Sequence, residues 1–347
     1  MKIFFVRKLK NLHFFLGTTE KKMLTARQQE SRRVYDERWG SLGKCIQLMG
    51  SGSFGDVFKI DTVRDCVVKV CEVTDKSSRE IMMREISIMK MCAHPNVMGL
   101  LRNERFGNHV LMWMDFCTPL PHILKGRLST SKLRDYVTDM ASGLSYLHEK
   151  RIMHRDLKPQ NMLVDYDGRL VIADLGLAIQ VPDETLWETG RHDASYTREV
   201  CTRWWRPPEV LLSIPYTWRI DVWSMGCIVY ELVLNFLGVK NAVLLPAPCT
   251  RSDEGGDQLE TILHLLGSPS EAETAYLLEC PLREYAARVL KKNVPAKAMP
   301  ENMPSEYGEV IARTLRWVPA DRFSAWDAVA VMVATADEPS SKRAKND

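Results

Sequence analysis

The sequence predicts an α+β fold with two lobes: a small one built on an antiparallel sheet with one helix, and a larger one that is mainly helical. Two observations carry this prediction. Apolar residues between 44 and 73 come in short alternating runs around glycines, which is typical of strands joined by hairpins. Beyond residue 116 the apolar residues mostly repeat at three and four positions, which is typical of packed helices. With 347 residues and 45% hydrophobic content, the chain is long enough for two cores.

The elements follow in order along the chain. The pattern of apolar residues over 44–73 predicts strands and hairpins. Over residues 77–92 the apolar residues instead repeat at three and four positions, which predicts a helix. Residues 109–116 form another strand-like run, and the strongest helical patterns of the larger lobe lie at 133–149 and 220–237. No internal repeat is evident. We therefore expect four regions: a basic N-terminal extension over 1–43, a small lobe over 44–116, a large lobe over 117–333 and a flexible tail over 334–347.

The positive charge is concentrated in the N-terminal arm. Lys and Arg number 47 against 44 Asp and Glu, but residues 1–33 hold nine bases and two acids, so the rest carries 38 bases and 42 acids. A body with this balance argues against nucleic acid as a partner. Residues 1–19 mix bases with apolar residues and contain no acid, as in an amphipathic membrane-surface helix or a transit peptide. The other interpretation is a dispensable extension, with Met23 as the working start.

Cysteine spacing and hydropathy indicate the compartment. The nine cysteines are an odd number without a CxxC pair, which argues against a disulfide framework or a zinc cluster and for reducing conditions. The most apolar stretch, residues 223–239, is shorter than the roughly 20 residues of a membrane span and contains Glu231. We therefore expect an intracellular protein of the cytoplasm or nucleus without a transmembrane segment, and leave the targeting role of the arm open.

A glycine-rich motif lies between two strand-like runs. Gly50, Gly52, Gly55 and Val57 follow the spacing G-x-G-x-x-G-x-V, in which backbone N–H groups can close over phosphate oxygens. The same spacing serves dinucleotide-binding folds, where a helix follows, whereas here a strand follows. This context favours a hairpin that covers the phosphates of ATP. Twelve residues after Val57, Lys69 stands alone in an apolar strand.

Two further motifs carry the chemistry. Residues 154–161 read HRDLKPQN, and residues 174–176, thirteen positions further on, read DLG. In such a loop an Asp accepts the proton of a hydroxyl group, and an Asn five residues later binds Mg²⁺. Each motif alone is weak, but their order and spacing make chance a remote explanation. The sequence therefore predicts phosphoryl transfer from ATP.

These motifs resemble those of the eukaryotic protein kinases over residues 44–333, and in particular the cyclin-dependent kinase group. Residues 196–209, YTREVCTRWWRPPE, are similar to the activation segment of that group, and residues 257–269, DQLETILHLLGSP, to its insert. Residues 84–86, followed by HPNV, resemble the end of its regulatory helix. The resemblance implies the two-lobed kinase fold and an ATP- and Mg²⁺-dependent serine/threonine kinase.

By this resemblance, the candidate catalytic residues have defined roles. Asp156 is the catalytic base, and Lys158 neutralises charge on the γ-phosphate. Lys69 holds the α and β phosphates and pairs with Glu85. Positioning and charge stabilisation of this kind supply most of the rate of phosphoryl transfer.

The resemblance also implies where ATP and Mg²⁺ bind. Asn161 and Asp174 are the metal ligands. Met114 is the gatekeeper of the adenine pocket. The remaining expected ATP contacts, apart from Lys69 and Glu85, are in the glycine-rich loop and the hinge: Gly50, Ser51, Gly52, Ser53, Phe54, Gly55, Val57, Asp115, Phe116 and Cys117.

Regulation follows from the same comparison of motifs. Thr197 has the spacing of the activating threonine, with Arg84 and Arg155 as partners of its phosphate, although Tyr196 is an alternative site. A third arginine is usual at the place of Ile179. The stretch 182–194 is longer than the loop of the group. The resemblance of residues 78–83 to the cyclin-contacting segment is loose, so the need for a cyclin-like activating subunit stays open.

Substrate choice is expected to depend on Arg206. In similar kinases this arginine restrains a nearby carbonyl so that a substrate N–H cannot satisfy it, which favours proline because proline lacks that donor. We therefore expect protein substrates with Ser or Thr followed by Pro. Two structural contacts are also implied: Asp221 should anchor the catalytic loop, and Glu209 should pair with Arg322.

Two other function classes fit the sequence less well. A pseudokinase, kept as a scaffold, usually lacks the strand lysine, the base or a metal ligand, and this sequence retains all of them. A small-molecule kinase on the same fold is disfavoured by the intact peptide-binding segment 200–209.

Overall fold

The structure, a computed structural model, describes residues 24–52, 55–61, 65–190, 200–239, 242–246 and 256–335. The chain forms two compact units, one of residues 1–86 and 100–116 and the other of residues 87–99 and 117–347. The first unit is built mainly on a sheet and the second mainly on helices. The predicted α+β class, with a smaller sheet-based part and a larger helical part, is therefore confirmed.

A five-stranded antiparallel sheet forms the first unit, in the order β1-β2-β3-β5-β4. Its strands are β1 (Cys45–Gly52), β2 (Gly55–Ile60), β3 (Cys66–Glu72), β4 (Arg102–Phe106) and β5 (His109–Asp115). The register sets Lys69 opposite Val57 on one side and Met112 on the other. Because side chains alternate along a strand, these three residues share one face, which we call the lysine face. Phe58, Val68 and Trp113 share the opposite face, which we call the outer face.

Helix α1 (Ala26–Trp39) packs on the outer face. It begins with a capping box, in which the Thr25 hydroxyl and the Gln28 side chain each accept from the other's backbone N–H. Val34, Tyr35 and Trp39 are buried in one cluster with the outer-face residues of the sheet. These three residues of the segment expected as an N-terminal extension are thus part of the core of the first unit.

Helix α2 (Lys76–Met91) lies where the sequence predicts the one helix of the small lobe, and α1 is a second helix that this prediction did not include. The Ser78 N–H donates to the Asp75 carboxylate at 2.7 Å where the helix begins. Met82, Glu85 and Ile86 are buried, whereas Met83 and Arg84 are exposed, so the helix has one face toward the protein interior. The Glu85 side chain therefore lies in the interior of the first unit, whereas the Arg84 side chain lies at its surface.

Helices dominate the second unit. They are α3 (Leu120–Ile123), α4 (Thr130–Glu149), α5 (Glu184–Thr189), α6 (Pro208–Leu211), α7 (Arg219–Phe236), α8 (Gly256–Leu266), α9 (Glu271–Leu277), α10 (Arg283–Leu290), α11 (Ser305–Thr314) and α12 (Ala325–Ala334). Helix α7 is buried along nearly its whole length and packs against α4 and α11. No helix in the described ranges is both long and apolar enough to span a membrane.

Short strands position the functional loops of this unit. Strands β6 (Thr118–Pro119), β8 (Met162–Val164) and β9 (Leu170–Ile172) form a three-stranded sheet, and β7 (Ile152–Met153) pairs with β10 (Ile179–Gln180). The HRDLKPQN segment connects β7 to β8, and the DLG segment follows β9. The HRDLKPQN segment therefore leads into β8, which pairs with β9, the strand before the DLG segment.

A buried ion pair joins α6 to the segment before α12. Arg322 donates to both carboxylate oxygens of Glu209, at 2.7 and 2.8 Å, and both side chains are fully buried. This two-point geometry offsets part of the cost of removing both charges from water. The predicted structural pair is confirmed.

Candidate active site

Asp221 on α7 holds the loop that carries the candidate base. Its carboxylate accepts from the backbone N–H groups of His154 and Arg155, both at 2.8 Å. Burial alone would raise the pKa of Asp221, but the hydrogen bond and charge of His148, the charge of His154 and the Arg155 N–H bring that pKa below its usual value. The carboxylate therefore stays ionised in the interior, and the predicted anchor is confirmed.

The carboxylate of Asp156 lies in a compact polar group. Oδ2 accepts from Lys158 Nζ at 2.5 Å, and Oδ1 accepts from the Thr202 hydroxyl at 2.7 Å and the Thr202 N–H at 3.0 Å. Lys158 Nζ also donates to Thr202 Oγ1 at 3.0 Å. Three groups thus fix the orientation of the candidate base. The sequence motifs assign no role to Thr202, so its contact with Asp156 was not predicted.

Asn161 is oriented so that its amide oxygen can serve a cation. Its Nδ2 donates to the Asp156 backbone oxygen at 2.9 Å and to Asp156 Oδ2 at 3.3 Å, which leaves Oδ1 as the acceptor end of the amide. The Ala173 N–H donates to the Asn161 backbone oxygen at 2.9 Å, which ties the end of β9 to this loop and leaves Oδ1 out of that contact. Asp174 follows at once, exposed and with φ 62°.

This donor set fits Mg²⁺. Carboxylate and amide oxygens are hard ligands, and Mg²⁺ is usually held by one or two carboxylates together with phosphates and water. Within the described ranges no group of three or more His, Cys, Asp or Glu could hold a metal by itself. Asn161 and Asp174 are thus suited to a metal that arrives with a phosphate ligand.

Lys69 and Glu85 form a buried ion pair in the first unit. Lys69 Nζ lies 2.6 Å from Glu85 Oε1, and their side chains are 10% and 2% exposed. Lys69 reaches Glu85 from the lysine face of the sheet, on the strand position where the sequence places the phosphate-binding lysine. The hydrogen bond to the Glu85 carboxylate fixes the position of the ammonium group.

The glycine-rich motif forms the β1–β2 hairpin. Gly55 has φ 144°, and a Cβ there would lie 2.6 Å from the Val70 oxygen, so only glycine fits. Gly50 lies opposite Val57, which is on the lysine face. The Ser51 side chain instead bonds to Asp56 on the outer face, so only its backbone is available to phosphate. Ser53 and Phe54, also expected to contact ATP, lie outside the described residues.

The expected hinge follows β5. Met114 lies opposite Val67 and therefore on the lysine face, as a gatekeeper requires. The Phe116 N–H donates to the Asp65 oxygen at 3.2 Å and is already used inside the first unit. Hydrogen bonds from the hinge to adenine would thus come from the other backbone groups of Asp115, Phe116 and Cys117.

The regulatory residues are only partly described. Arg155 is buried with φ 67°, and its guanidinium donates to the Leu177 oxygen at 2.7 Å and the Tyr216 hydroxyl at 3.1 Å. Arg84 is exposed on α2. Thr197 and Tyr196 lie outside the described residues, so the expected phosphate clamp stays a prediction.

The Arg206 guanidinium contacts the backbone of a preceding residue, Cys201. Its Nε and Nη2 donate to the Cys201 oxygen at 3.2 and 3.0 Å. Cys201 has φ 58°, and its N–H donates to the Arg155 oxygen at 2.7 Å. Both backbone polar groups of Cys201 are therefore satisfied within the protein.

Comparison with known proteins identifies the family. The sequence profile of the protein kinase domain matches residues 44–332. The chain belongs to the protein kinase family. The kinase is 32% identical over 298 residues to cell division control protein 2 homolog 3 of Trypanosoma brucei brucei, covering 81% of this chain and 88% of that protein.

Two other relatives support the same family assignment, and one solved structure shares the fold. Over 242 residues the kinase is 34% identical to cyclin-dependent kinase 7 of Xenopus laevis, covering 66% of this chain and 63% of that protein. Over 302 residues it is 30% identical to mitogen-activated protein kinase 12 of Danio rerio, covering 83% of this chain and 77% of that protein. The crystal structure of the yeast RNA Pol II CTD kinase CTDK-1 complex matches with a TM-score of 0.69 at 24% identity, over 82% of this chain and 90% of that one, which shows the shared fold. The kinase is thus a protein serine/threonine kinase of the cyclin-dependent type.

Proposed function

We propose that this kinase transfers the γ-phosphoryl group of Mg–ATP to Ser or Thr followed by Pro, and that phosphorylation of Thr197 switches it on. The observation that carries the chemistry is the polar group around Asp156, in which Lys158, Thr202 and Asn161 all contact the same residue. Such a preorganised carboxylate matches what transfer to a hydroxyl requires.

The residues of the second unit would act on the acceptor. Asp156, held by Thr202 and Asn161, orients the substrate hydroxyl and accepts its proton. Lys158, 2.5 Å from the base, supplies positive charge where negative charge develops on the transferred group. Asn161 and Asp174 would hold Mg²⁺, which would neutralise charge on the phosphates.

The residues of the first unit would act on ATP. Lys69, fixed by Glu85, donates to phosphate oxygens, and the backbone N–H groups of the β1–β2 hairpin cover them. Positioning of this kind reduces the translational and rotational entropy that the reacting groups would otherwise lose in the transfer step.

The geometry of Cys201 supports a preference for proline. The Cys201 oxygen already accepts two hydrogen bonds from Arg206. A substrate residue with an N–H would bring a donor to a position where the acceptor is occupied, and that donor would lose its hydration. Proline has no such donor, so it avoids the cost.

The charge pattern supports activation through Thr197. A phosphate at that position adds about −1.5 to −2 charge at pH 7. Arg155, whose guanidinium donates to the Leu177 oxygen and the Tyr216 hydroxyl, can form stronger, charge-assisted bonds to such an anion. The name of the Xenopus relative supports a cyclin-like activating subunit as a second requirement, so activity is best assayed both with and without candidate cyclins.

A degenerate Ser/Thr peptide library with ATP and Mg²⁺ tests the proposal. Asp156→Asn should lower kcat at least about a hundredfold, because the acceptor loses its base, with little change in thermal melting. Asp167→Asn, an exposed aspartate of the same unit, is the matched control and should keep the wild-type rate. Undiminished transfer by Asp156→Asn contradicts the assigned role. A wild type that binds ATP but transfers nothing, with or without cyclins, would favour the scaffold alternative.

A further inference from the structure

Helix α1 reaches the glycine-rich hairpin through a buried carboxylate. Asp56 lies on β2 directly opposite Ser51 of β1, and its side chain is fully buried beneath α1. Oδ1 accepts from the Ser51 hydroxyl at 2.5 Å, and Oδ2 accepts from the Ser31 hydroxyl of α1 at 2.7 Å. Asp56 therefore links both strands of the hairpin to the helix.

Arg27, one turn earlier on α1, contacts the tip of the same hairpin. Its Nη2 donates to the Gly52 oxygen at 3.0 Å, and its Nε lies 3.6 Å from Asp56 Oδ2. A Cβ placed at Gly52 would meet nothing within 4 Å, so side-chain packing does little to hold the backbone there. The guanidinium supplies a fixed donor where packing is weak.

These contacts make the hairpin and the helix dependent on each other. A buried carboxylate is costly unless hydrogen-bond donors and a cation surround it. Ser31, Arg27 and Ser51 supply those groups, and two of the three come from α1. If α1 shifts, Asp56 loses partners inside the protein, and the β1–β2 hairpin must move to find water or new donors.

We propose that α1 is a positioning element for the nucleotide, acting through Arg27, Ser31 and Asp56 on the hairpin that covers the ATP phosphates. This inference rests on the proposed function, since it assumes that the hairpin binds ATP. The N-terminal helix thus sets the geometry of the phosphate-binding backbone from the outer face, whereas Lys69 and Glu85 act from the lysine face.

Nucleotide binding and loop dynamics test the proposal on the full chain. Arg27→Ala and Ser31→Ala should each raise the Kd for Mg–ATP and the KM for ATP by about fivefold, with a smaller change in kcat. Amide hydrogen exchange over residues 48–52 and 55–57 should accelerate in both variants without nucleotide, because the hairpin opens more often. Arg27→Lys, which keeps a cationic donor, should recover most of the affinity.

Arg33→Ala is the matched control on the same helix. Arg33 is 64% exposed and pairs only with Glu30 and Glu37 among the described side chains, so its loss should leave ATP affinity and hairpin exchange unchanged. Tyr35→Ala removes a buried ring of α1 and reports what loss of helix packing does to the melting temperature.

The possible results separate the inference from the function on which it rests. Wild-type ATP affinity and hairpin exchange in both Arg27→Ala and Ser31→Ala would overturn the inference while leaving the kinase function intact. A fall in melting temperature without either change would make α1 a packing element only, which also overturns it. A wild-type protein that does not bind Mg–ATP would instead overturn the proposed function and the inference together.

Discussion

At the scale of single residues, Cys201 combines backbone strain with the carbonyl group on which the proposed proline preference depends. Its φ of 58° is a left-handed conformation, which costs a residue other than glycine about 1–2 kcal/mol. The hydrogen bonds from Arg206 to its oxygen and from its N–H to the Arg155 oxygen offset that cost. The thiol contributes little chemistry, because complete burial raises the pKa of Cys201 well above its usual value.

The first prediction at this scale concerns Arg206. In Arg206→Ala the Cys201 oxygen loses both donors and becomes available to a substrate N–H. The ratio of kcat/KM for peptides with Pro over Ala after the acceptor should fall about tenfold, equivalent to roughly 1.4 kcal/mol. Paired peptide assays measure it. Arg169→Ala, at an exposed arginine of the same unit, is the control and should keep the ratio. An unchanged ratio in Arg206→Ala would refute the proline mechanism.

At the scale of elements, α5 gives the activation segment an anchor. Asp183 caps this short helix, and Trp187 packs its indole parallel to that of Trp218, with centroids 6.0 Å apart. The His148 ring contacts both indoles edge-on. Gly190 ends the helix with φ 70°, at a point where a Cβ would lie 2.2 Å from the Tyr216 oxygen. These contacts hold the start of the segment within the second unit.

Removing this anchor should make the enzyme more dependent on phosphate. Trp187 is 7% exposed, so Trp187→Ala should cost about 3 kcal/mol of stability and release α5. Thr197→Ala should then reduce kcat/KM more in the Trp187→Ala background than in the wild type, as a double-mutant cycle would show. Trp326→Ala removes a 63% exposed indole of α12 and is the matched control. Additive effects of Trp187→Ala and Thr197→Ala would exclude the coupling.

At the scale of the whole molecule, stability should depend on pH through Glu231 in α7. Burial raises the pKa of Glu231 from 4.5 to about 8, and the hydrogen bond from the Leu244 N–H opposes this shift only partly. The folded state thus prefers the protonated form. Its contribution to stability is complete below about pH 4.5 and is lost as the pH rises through about 8.

Thermal melting between pH 6 and pH 9 tests this effect. The melting temperature of the wild type should fall across that range relative to Glu231→Gln, whose amide does not titrate. Glu301→Gln, at an exposed position, should track the wild type. Parallel curves for the wild type and Glu231→Gln would show that Glu231 is not the group responsible.

Much of this architecture was predictable, for identifiable reasons. The residue spacing of the glycine-rich hairpin, the HRDLKPQN loop and the DLG segment is local, so the sequence alone places Lys69, Asp156 and Asn161 on their elements. The partners of Asp156 were less accessible, because Thr202 lies 46 positions away and reaches it only through the fold. Helix α1 was missed because only Val34, Tyr35 and Trp39 are apolar along its buried side. The capping box at Thr25 and Gln28, followed by the spacing of Ser31, Val34, Tyr35 and Trp39, could have indicated it.

The packing of α1 on the outer face also determines how far the N-terminus of a recombinant form of this protein can be truncated. The family profile begins at residue 44, five residues beyond the end of the helix. A recombinant fragment trimmed to that boundary would carry every motif of the family, yet it would expose Phe58, Val68 and Trp113 to water. An uncovered apolar sheet face invites self-association. For purification, crystallisation or inhibitor screening, the smallest self-sufficient form of this enzyme therefore has to begin before Thr25.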